Sequence, residues 1–231
     1  MDGGVDIMAN SKIIKELANS TIDLNTSLKR AKVIFQKIGS TELNQWIKNE
    51  IEGYKNLEDI PSYRRVKGCL KGCYIEGGLN CKNLLIPLDN VEEEIIEGLT
   101  YNSAGQSIYA LQEAIKTGQS FVRRLEPYEC KWLSAKTGRI IYEAEVETDT
   151  SQVMNIIPVV ENLLLETFLL LEKEFGVLDD LDIDWDSKTK DEQKVIVEKI
   201  IIIFQDNSVS VGDGNKIKNS TVASNISNKA S

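Results

Sequence analysis

Trp46-Ile47-Lys48-Asn49-Glu50-Ile51-Glu52-Gly53-Tyr54, followed after a short polar spacer by Pro61-Ser62-Tyr63-Arg64-Arg65, is the most fully specified stretch of this sequence. Just upstream, Ser40 or Thr41 can cap a helix, with Glu42 in the first turn where a carboxylate suits the positive helix end. Leu43, Trp46, Ile47, Glu50, Ile51 and Tyr54 recur at helical spacing, and Gly53 supplies the backbone freedom that a C-terminal turn often needs. One face of this helix is therefore apolar, with Glu50 on its border. Pro61 biases Ile60 away from helix and fixes its own φ, which delivers Tyr63 and Arg64 on a defined turn. Two uses of these residues are open. Glu50 can pair with Arg64 or Arg65 to fasten the turn to the helix, with Trp46 and Tyr54 as core. Alternatively, Glu50, Tyr63 and Arg64 form a site for a phosphate or a carboxylate. Ion pairs that tie loops to scaffolds are the commoner arrangement.

Working outward, Leu17, Thr21, Leu24, Leu28, Ala31, Phe35 and Ile38 step at fours and threes from Ser11 to Gly39. The spacing predicts one long amphipathic helix that turns at Gly39-Ser40 into the Trp46 helix, an αα-hairpin. Beyond Pro61 the character changes. Val66 to Ile75 is rich in strand formers broken by Gly68 and Gly72, and Gly77-Gly78 leads to a second run, Asn80 to Leu88, which together predict a small hairpin. These glycines could instead mark close backbone approach to a phosphate, but neither Gly-x4-Gly-Lys-Ser/Thr nor Gly-x-Gly-x2-Gly occurs. Asn90 is a plausible cap for a short helix ending at Gly98, and Gln106 to Lys116 reads as another helix. Phe121-Val122, Trp132-Leu133 and Arg139 to Val146 read as loop and strand.

Ser151 opens a second long helix, in which Met154, Ile157, Val160, Leu164, Phe168, Leu171 and Phe175 step round to Gly176. It is apolar on most sides, as expected of a helix at the centre of a bundle or at a dimer interface, and Pro158 predicts a kink or a later true start. Glu161, Asn162, Glu166 and Glu172 interrupt the apolar run and count against a membrane span. Leu178 to Asp186 is acidic and lacks the glycine and terminal glutamate of a calcium loop, so it reads as an exposed linker or docking peptide. Thr189-Lys190-Asp191-Glu192 is a capping box for a further helix, after which Ile201 to Phe204 leans towards strand.

With 231 residues the chain suits one main domain plus an appendage. Its 27 basic against 36 acidic side chains leave a formal charge of −9, which argues against non-specific binding of nucleic acid or anionic membrane. Local basic patches could form around Arg64, Arg65, Lys67 and Lys71, or around Arg123 and Arg124. The absence of histidine excludes His-based triads and imidazole metal ligands. The spacing of Cys69, Cys73, Cys81 and Cys130 does not suit a zinc knuckle, so neither a metal nor another cofactor is expected. Free thiols and the lack of a signal peptide or a bilayer-length apolar run fit a cytoplasmic protein.

The last stretch, Asp206 to Ile226, alternates apolar and polar residues between Gly and Asn clusters. Val209, Val211, Ile217, Val222 and Ile226 mark short strands that could stack with those of other copies. The other reading is a disordered polar tail. The expected fold class is α+β and predominantly α-helical: a helical bundle with a small β hairpin or sheet and a short, solenoid-like C-terminal β-repeat. The expected division is a leader (1–8), a main helical domain (9–177), an acidic linker (178–190) and a helix with the self-association tail (191–231).

From about Ser11 to Gly176 the sequence resembles the AbiTii domain family of bacterial abortive-infection and antiphage systems. The resemblance is carried by Leu24-x3-Leu28 with Ala31-Lys32-Val33, Leu43-x2-Trp46-x3-Glu50-x2-Gly53-Tyr54, Pro61-x-Tyr63-Arg64, and Phe168-Leu-Leu-Leu-Glu172-Lys-Glu174. It implies a role in phage defence, as a toxin-like or signalling module, and carries no catalytic residues over. Two function classes follow: an interaction module that assembles or recruits effectors, or a nuclease or nucleotide-processing toxin using Glu50, Tyr63, Arg64 and Arg65. Expected partners are further copies of the chain, through residues 154–175 and the tail, and a protein of the defence system; neither membrane nor nucleic acid is expected.

Overall fold

Ser20, at φ 52°, divides the first long amphipathic run into two helices in the structure, a computed structural model that describes residues 11–206. The elements that follow are α1 (Lys12–Ala18), α2 (Leu24–Ile38), α3 (Thr41–Glu52), β1 (Arg65–Lys67), β2 (Cys69–Glu76), β3 (Leu79–Leu85), α4 (Glu93–Thr100) and β4 (Tyr101–Ser103). The chain continues through α5 (Ile108–Lys116), β5 (Phe121–Arg124), α6 (Pro127–Thr137), β6 (Ile140–Thr148), α7 (Thr150–Met154), α8 (Ile156–Phe175) and α9 (Lys190–Asp206). The α+β class holds. The tail residues Val209, Val211, Ile217, Val222 and Ile226 lie outside the described residues.

One helix was expected from Ser11 to Gly39, and the break is a correction. Asp23 accepts a hydrogen bond from the Thr26 amide at 2.9 Å and so starts α2 afresh, although the apolar spacing runs through the gap uninterrupted. Gly39 then closes α2 in the left-handed region, and the Ser40 side chain caps α3, as the sequence predicts.

Helix α8 is the centre of the larger core. Val160, Leu164, Phe168 and Leu171 are fully buried with Ile13 and Ile14 of α1, Leu28 and Phe35 of α2, and Ile200 of α9. Burial of each such side chain is worth about 1.5–3 kcal/mol, so this layer dominates the stability of the helical half. Pro158 sits in the first turn of α8, where a missing amide costs nothing, and α7 precedes it as a separate turn. By length and composition alone, Thr150–Phe175 reaches what a membrane span needs; its buried face accounts for that apolarity within the fold.

The second core lies beneath an antiparallel sheet ordered β3-β2-β6-β5. Leu70, Tyr74, Ile141 and Val146 point inward onto Leu133 and Cys130 of α6. A smaller pair, β1 with β4, joins the sheet to the helices. The Gly77-Gly78 hairpin is where the sequence puts it, both residues at positive φ. Gly72 answers to a neighbouring strand rather than to a phosphate: a Cβ there would lie 2.3 Å from the Glu143 carbonyl oxygen.

Other expectations are corrected. Trp132-Leu133 is helical, because Glu126 and Glu129 form a capping box with Pro127 at the first helical position. Helix α4 is preceded by Glu92 rather than Asn90 and runs past Gly98 to Thr100. Ile201 to Phe204 continues α9, since Ile200 and Phe204 pack on the helical core and that packing outweighs the β-branched preference for strand. The acidic segment after Gly176 does not stand free, for Leu178 and Ile183 are buried and the Leu178 amide donates to the Ser11 hydroxyl at 2.9 Å. The Thr189–Glu192 capping box forms as expected.

Candidate functional site: the buried Glu50–Arg64 node

Three elements bring the motif residues together. Helix α3 carries Trp46 and Glu50 on one side and ends at Gly53, whose φ of 93° opens the way to Tyr54. Pro61 begins a short 3-10 turn, Ser62–Arg64, and its carbonyl accepts from the Arg64 amide at 3.0 Å. The third element is the loop 104–106, between β4 and α5. A Cβ on Gly53 would come within 3.1 Å of the Gly105 oxygen, and the Tyr54 amide donates to that oxygen at 2.7 Å, so α3 ends directly against this loop.

At the centre, Glu50 and Arg64 are both fully buried. Glu50 Oε1 accepts from Tyr54 Oη at 2.5 Å, Tyr63 Oη at 2.7 Å and Arg64 Nε at 3.0 Å. Its Oε2 is paired with Arg64 Nη2. Arg64 Nη1 donates to the carbonyls of Ala104 at 2.7 Å and Gln106 at 2.8 Å. Trp46 Nε1 donates to Tyr63 Oη at 3.0 Å, and the Arg64 guanidinium lies 4.9 Å from the centre of the Tyr54 ring. A bidentate guanidinium–carboxylate pair, with Nη1 satisfied by two backbone carbonyls and Glu50 Oε1 by two phenols, is what makes such burial tolerable.

Of the two arginines that the sequence offers to Glu50, Arg64 is the partner. Arg65 is exposed, its guanidinium 5.9 Å from the centre of the Tyr101 ring. Three of the other basic candidates face their own carboxylates: Lys71 pairs with Glu147, Arg123 lies 3.4 Å from Glu129, and Arg124 lies 3.9 Å from Glu145. Sequence reasoning missed the 104–106 loop. Gly105 beside the cap residue Ser107 was the available signal, but nothing local ties a loop forty residues downstream to Arg64.

The electrostatics follow from the burial. Removal from water and then the Glu50 charge push the Tyr54 and Tyr63 phenols well above the ordinary tyrosine value. Burial works against the Arg64 guanidinium, but the Glu50 charge and hydrogen bonds outweigh it and raise its pKa. The folded chain therefore keeps both phenolic protons where the unfolded chain, with pKa values near 10.0, releases them. The node's contribution to stability is intact below pH 10 and declines as pH rises above it. In urea titrations over alkaline pH, the parent should lose stability more steeply than a Tyr54→Phe/Tyr63→Phe variant; equal slopes would contradict this.

Chemically, the node is turned inward. A general base or a metal-binding carboxylate needs a lone pair facing a ligand, and Glu50 turns both oxygens to internal donors. Among the described residues, no three His, Cys, Asp or Glu side chains converge as a metal cluster would require. The arrangement is that of a polar clamp, which holds the 61–64 turn and the 104–106 loop to α3. The fold and the clamp together define an α+β protein with a helical core and a one-sided sheet.

The AbiTii family model matches residues 10–197, so the chain belongs to the AbiTii family, whose name denotes abortive-infection defence. The match includes the whole clamp and runs beyond the expected main domain into α9. No curated protein and no solved structure matches the chain.

Proposed function

We propose that this AbiTii protein serves antiphage, abortive-infection defence as a cytoplasmic interaction and oligomerisation module that assembles or recruits an effector. The observation that carries the reading is the clamp: the residues that most specify the family resemblance, from Trp46 through Arg64, are used to hold the fold together. The functional surface therefore lies elsewhere, and the alternating tail is the segment whose sequence suits self-association. Helix α8 contributes less to such contacts than its composition suggests. Val160, Leu163, Leu164, Phe168 and Leu171 are buried within its own chain, whereas Asn162 and Glu166 lie on its exposed side. Contact between copies is assigned chiefly to Val209, Val211, Ile217, Val222 and Ile226.

A phage challenge of bacteria that express the full chain, or a chain ending at Asp206, tests the reading. Protection should require the tail, and Val211→Lys with Ile217→Lys should abolish it while leaving the amount of folded protein unchanged. Full protection by the tail-less chain would overturn the assembly role. Cleavage of nucleic acid or nucleotide by the purified protein would point to the enzyme reading instead.

A further inference from the structure

Leu70, Tyr74, Ile141 and Val146 turn one face of the four-stranded sheet onto α6, and the residues that alternate with them turn the other way. Directly opposed residues of an antiparallel pair share a face. The register therefore sets Arg124, Glu145, Lys71 and Leu85 in one outward row across all four strands, and Ile140, Ile75 and Asn80 in another. The Tyr142 hydroxyl donates to Asn80 Oδ1 at 2.8 Å, spanning the outside of β2. Ile75, Leu85, Val122, Ile140 and Tyr142 on this face are between 36% and 64% exposed, so no described element packs over them. The edges of the sheet are better closed. β3 is kinked by a register shift between Gly72 and Tyr74 of β2 and by Asn83 at φ 50°, which suits it poorly to adding a strand. Where β5 stops short along β6, the Ser134 hydroxyl accepts from the Ile141 amide at 2.9 Å.

We infer that the open face is an interface between two copies of the chain, packed sheet on sheet. Its charges select that occupant. Outward carboxylates gather on β6, as Glu143, Glu145 and Glu147, whereas outward cations stand on the other strands, Arg124 on β5, Lys71 on β2 and Lys82 on β3. The face is neutral as a whole and striped by strand. A polyanion is repelled by the β6 stripe and a polycation by its neighbours. A second copy is matched, because a two-fold contact brings each patch against itself. An axis along the strands, between β2 and β6, lays β6 of each copy over β2 of the other. That axis preserves the rows, so Glu145 comes over Lys71 of the second copy and Ile140 over its Ile75. Stacked sheets lie about 10 Å apart with strands within roughly 30°, which keeps the central rows in register. Four strands of the length of β2 make a face of roughly 20 by 25 Å. Pairing then covers about 1,000 Å² over the two copies, the size of a weak but specific dimer.

This contact does not use the tail, so it is read in the full chain with Val211→Lys and Ile217→Lys, by light scattering over a concentration series. The mass should rise twofold, to a dimer. Ile140→Asp should hold it at one chain with an unchanged melting temperature, since Ile140 is largely exposed in the single copy. Lys71→Glu should weaken pairing about tenfold. Adding Glu145→Lys to it should restore pairing, because the swap rebuilds both contacts between the copies. Alkylation of Cys69, exposed and opposite Glu147 on the same face, should slow severalfold as the mass rises. A mass that stays at one chain overturns the proposal. So does a mass increase that Ile140→Asp and Lys71→Glu both leave intact, which would place the contact on another surface. Neither result touches the reading of the tail, which phage protection by the tail-less chain decides separately.

Discussion

Glu50→Ala should lower the stability of the folded chain by about 3–5 kcal/mol, because it leaves the Arg64 guanidinium buried without a counter-charge. For a domain of this size, that amounts to a fall in melting temperature on the order of 10 °C. Arg64 has no route to water without moving Ala104, Gln106 and the Pro61 turn, all of which it holds. The loss also strips the acceptor from Tyr54 and Tyr63. A double variant, Glu50→Leu with Arg64→Met, should cost less than the sum of the two single changes, since removing both charges avoids the uncompensated one. It should still fall short of the parent, because the Ala104 and Gln106 carbonyls and two phenols lose partners. Thermal and urea unfolding of the four proteins measures the cycle. Parent-like stability for Glu50→Ala would mean that the clamp is not structural, and the carboxylate would then deserve testing as a reactive group.

Gly72→Val should have the second-largest effect, about 3 kcal/mol or more, and should act on the sheet. Even a Cβ at position 72 meets the Glu143 carbonyl oxygen at 2.3 Å, Ile86 Cδ1 at 2.8 Å and the Ala144 Cα at 3.1 Å. Two of these neighbours are backbone, so relief requires β2 and β6 to separate rather than a side chain to rotate. The register that pairs Gly72 with Ala144 and Cys73 with Glu143 is then lost, and with it the cover of Leu133. The helical core is built from other residues, chiefly on α1, α2, α8 and α9. Hydrogen exchange should accordingly show lost protection in β2, β3, β5 and β6, with α8 still protected. Unchanged protection in β2 and β6 would contradict this placement.

Local signals made much of the fold legible. Helix α3 could be read from its cap at Ser40, its apolar spacing and Gly53, and the β2–β3 hairpin from Gly77-Gly78 between two strand-forming runs. Pairing of Glu50 with an arginine of the Pro61 turn was also visible, because the turn fixes the direction in which its side chains leave the chain. The choice of Arg64 over Arg65 was not visible, for it depends on which side of a single 3-10 turn meets the 104–106 loop. The break at Ser20 was hidden because Leu17, Thr21 and Leu24 keep a helical period across it. Helix α6 has a start written locally in Glu126-Pro127-x-Glu129, but Trp132-Leu133 taken alone suits strand as well as helix. The end of α9 defeated local preference altogether: four β-branched or aromatic residues from Ile201 remain helical because Phe204 reaches Trp46 across the fold.

The most direct test of the assembly account is the mass in solution of the full chain beside a chain ending at Asp206, by light scattering over a concentration series. Residues 11–206 hold both cores, so the shorter chain retains the folded body. The account predicts large or defined oligomers for the full chain and a monomer or dimer for the shorter one. The same small species for both would contradict it, and would return attention to the surfaces of the folded body.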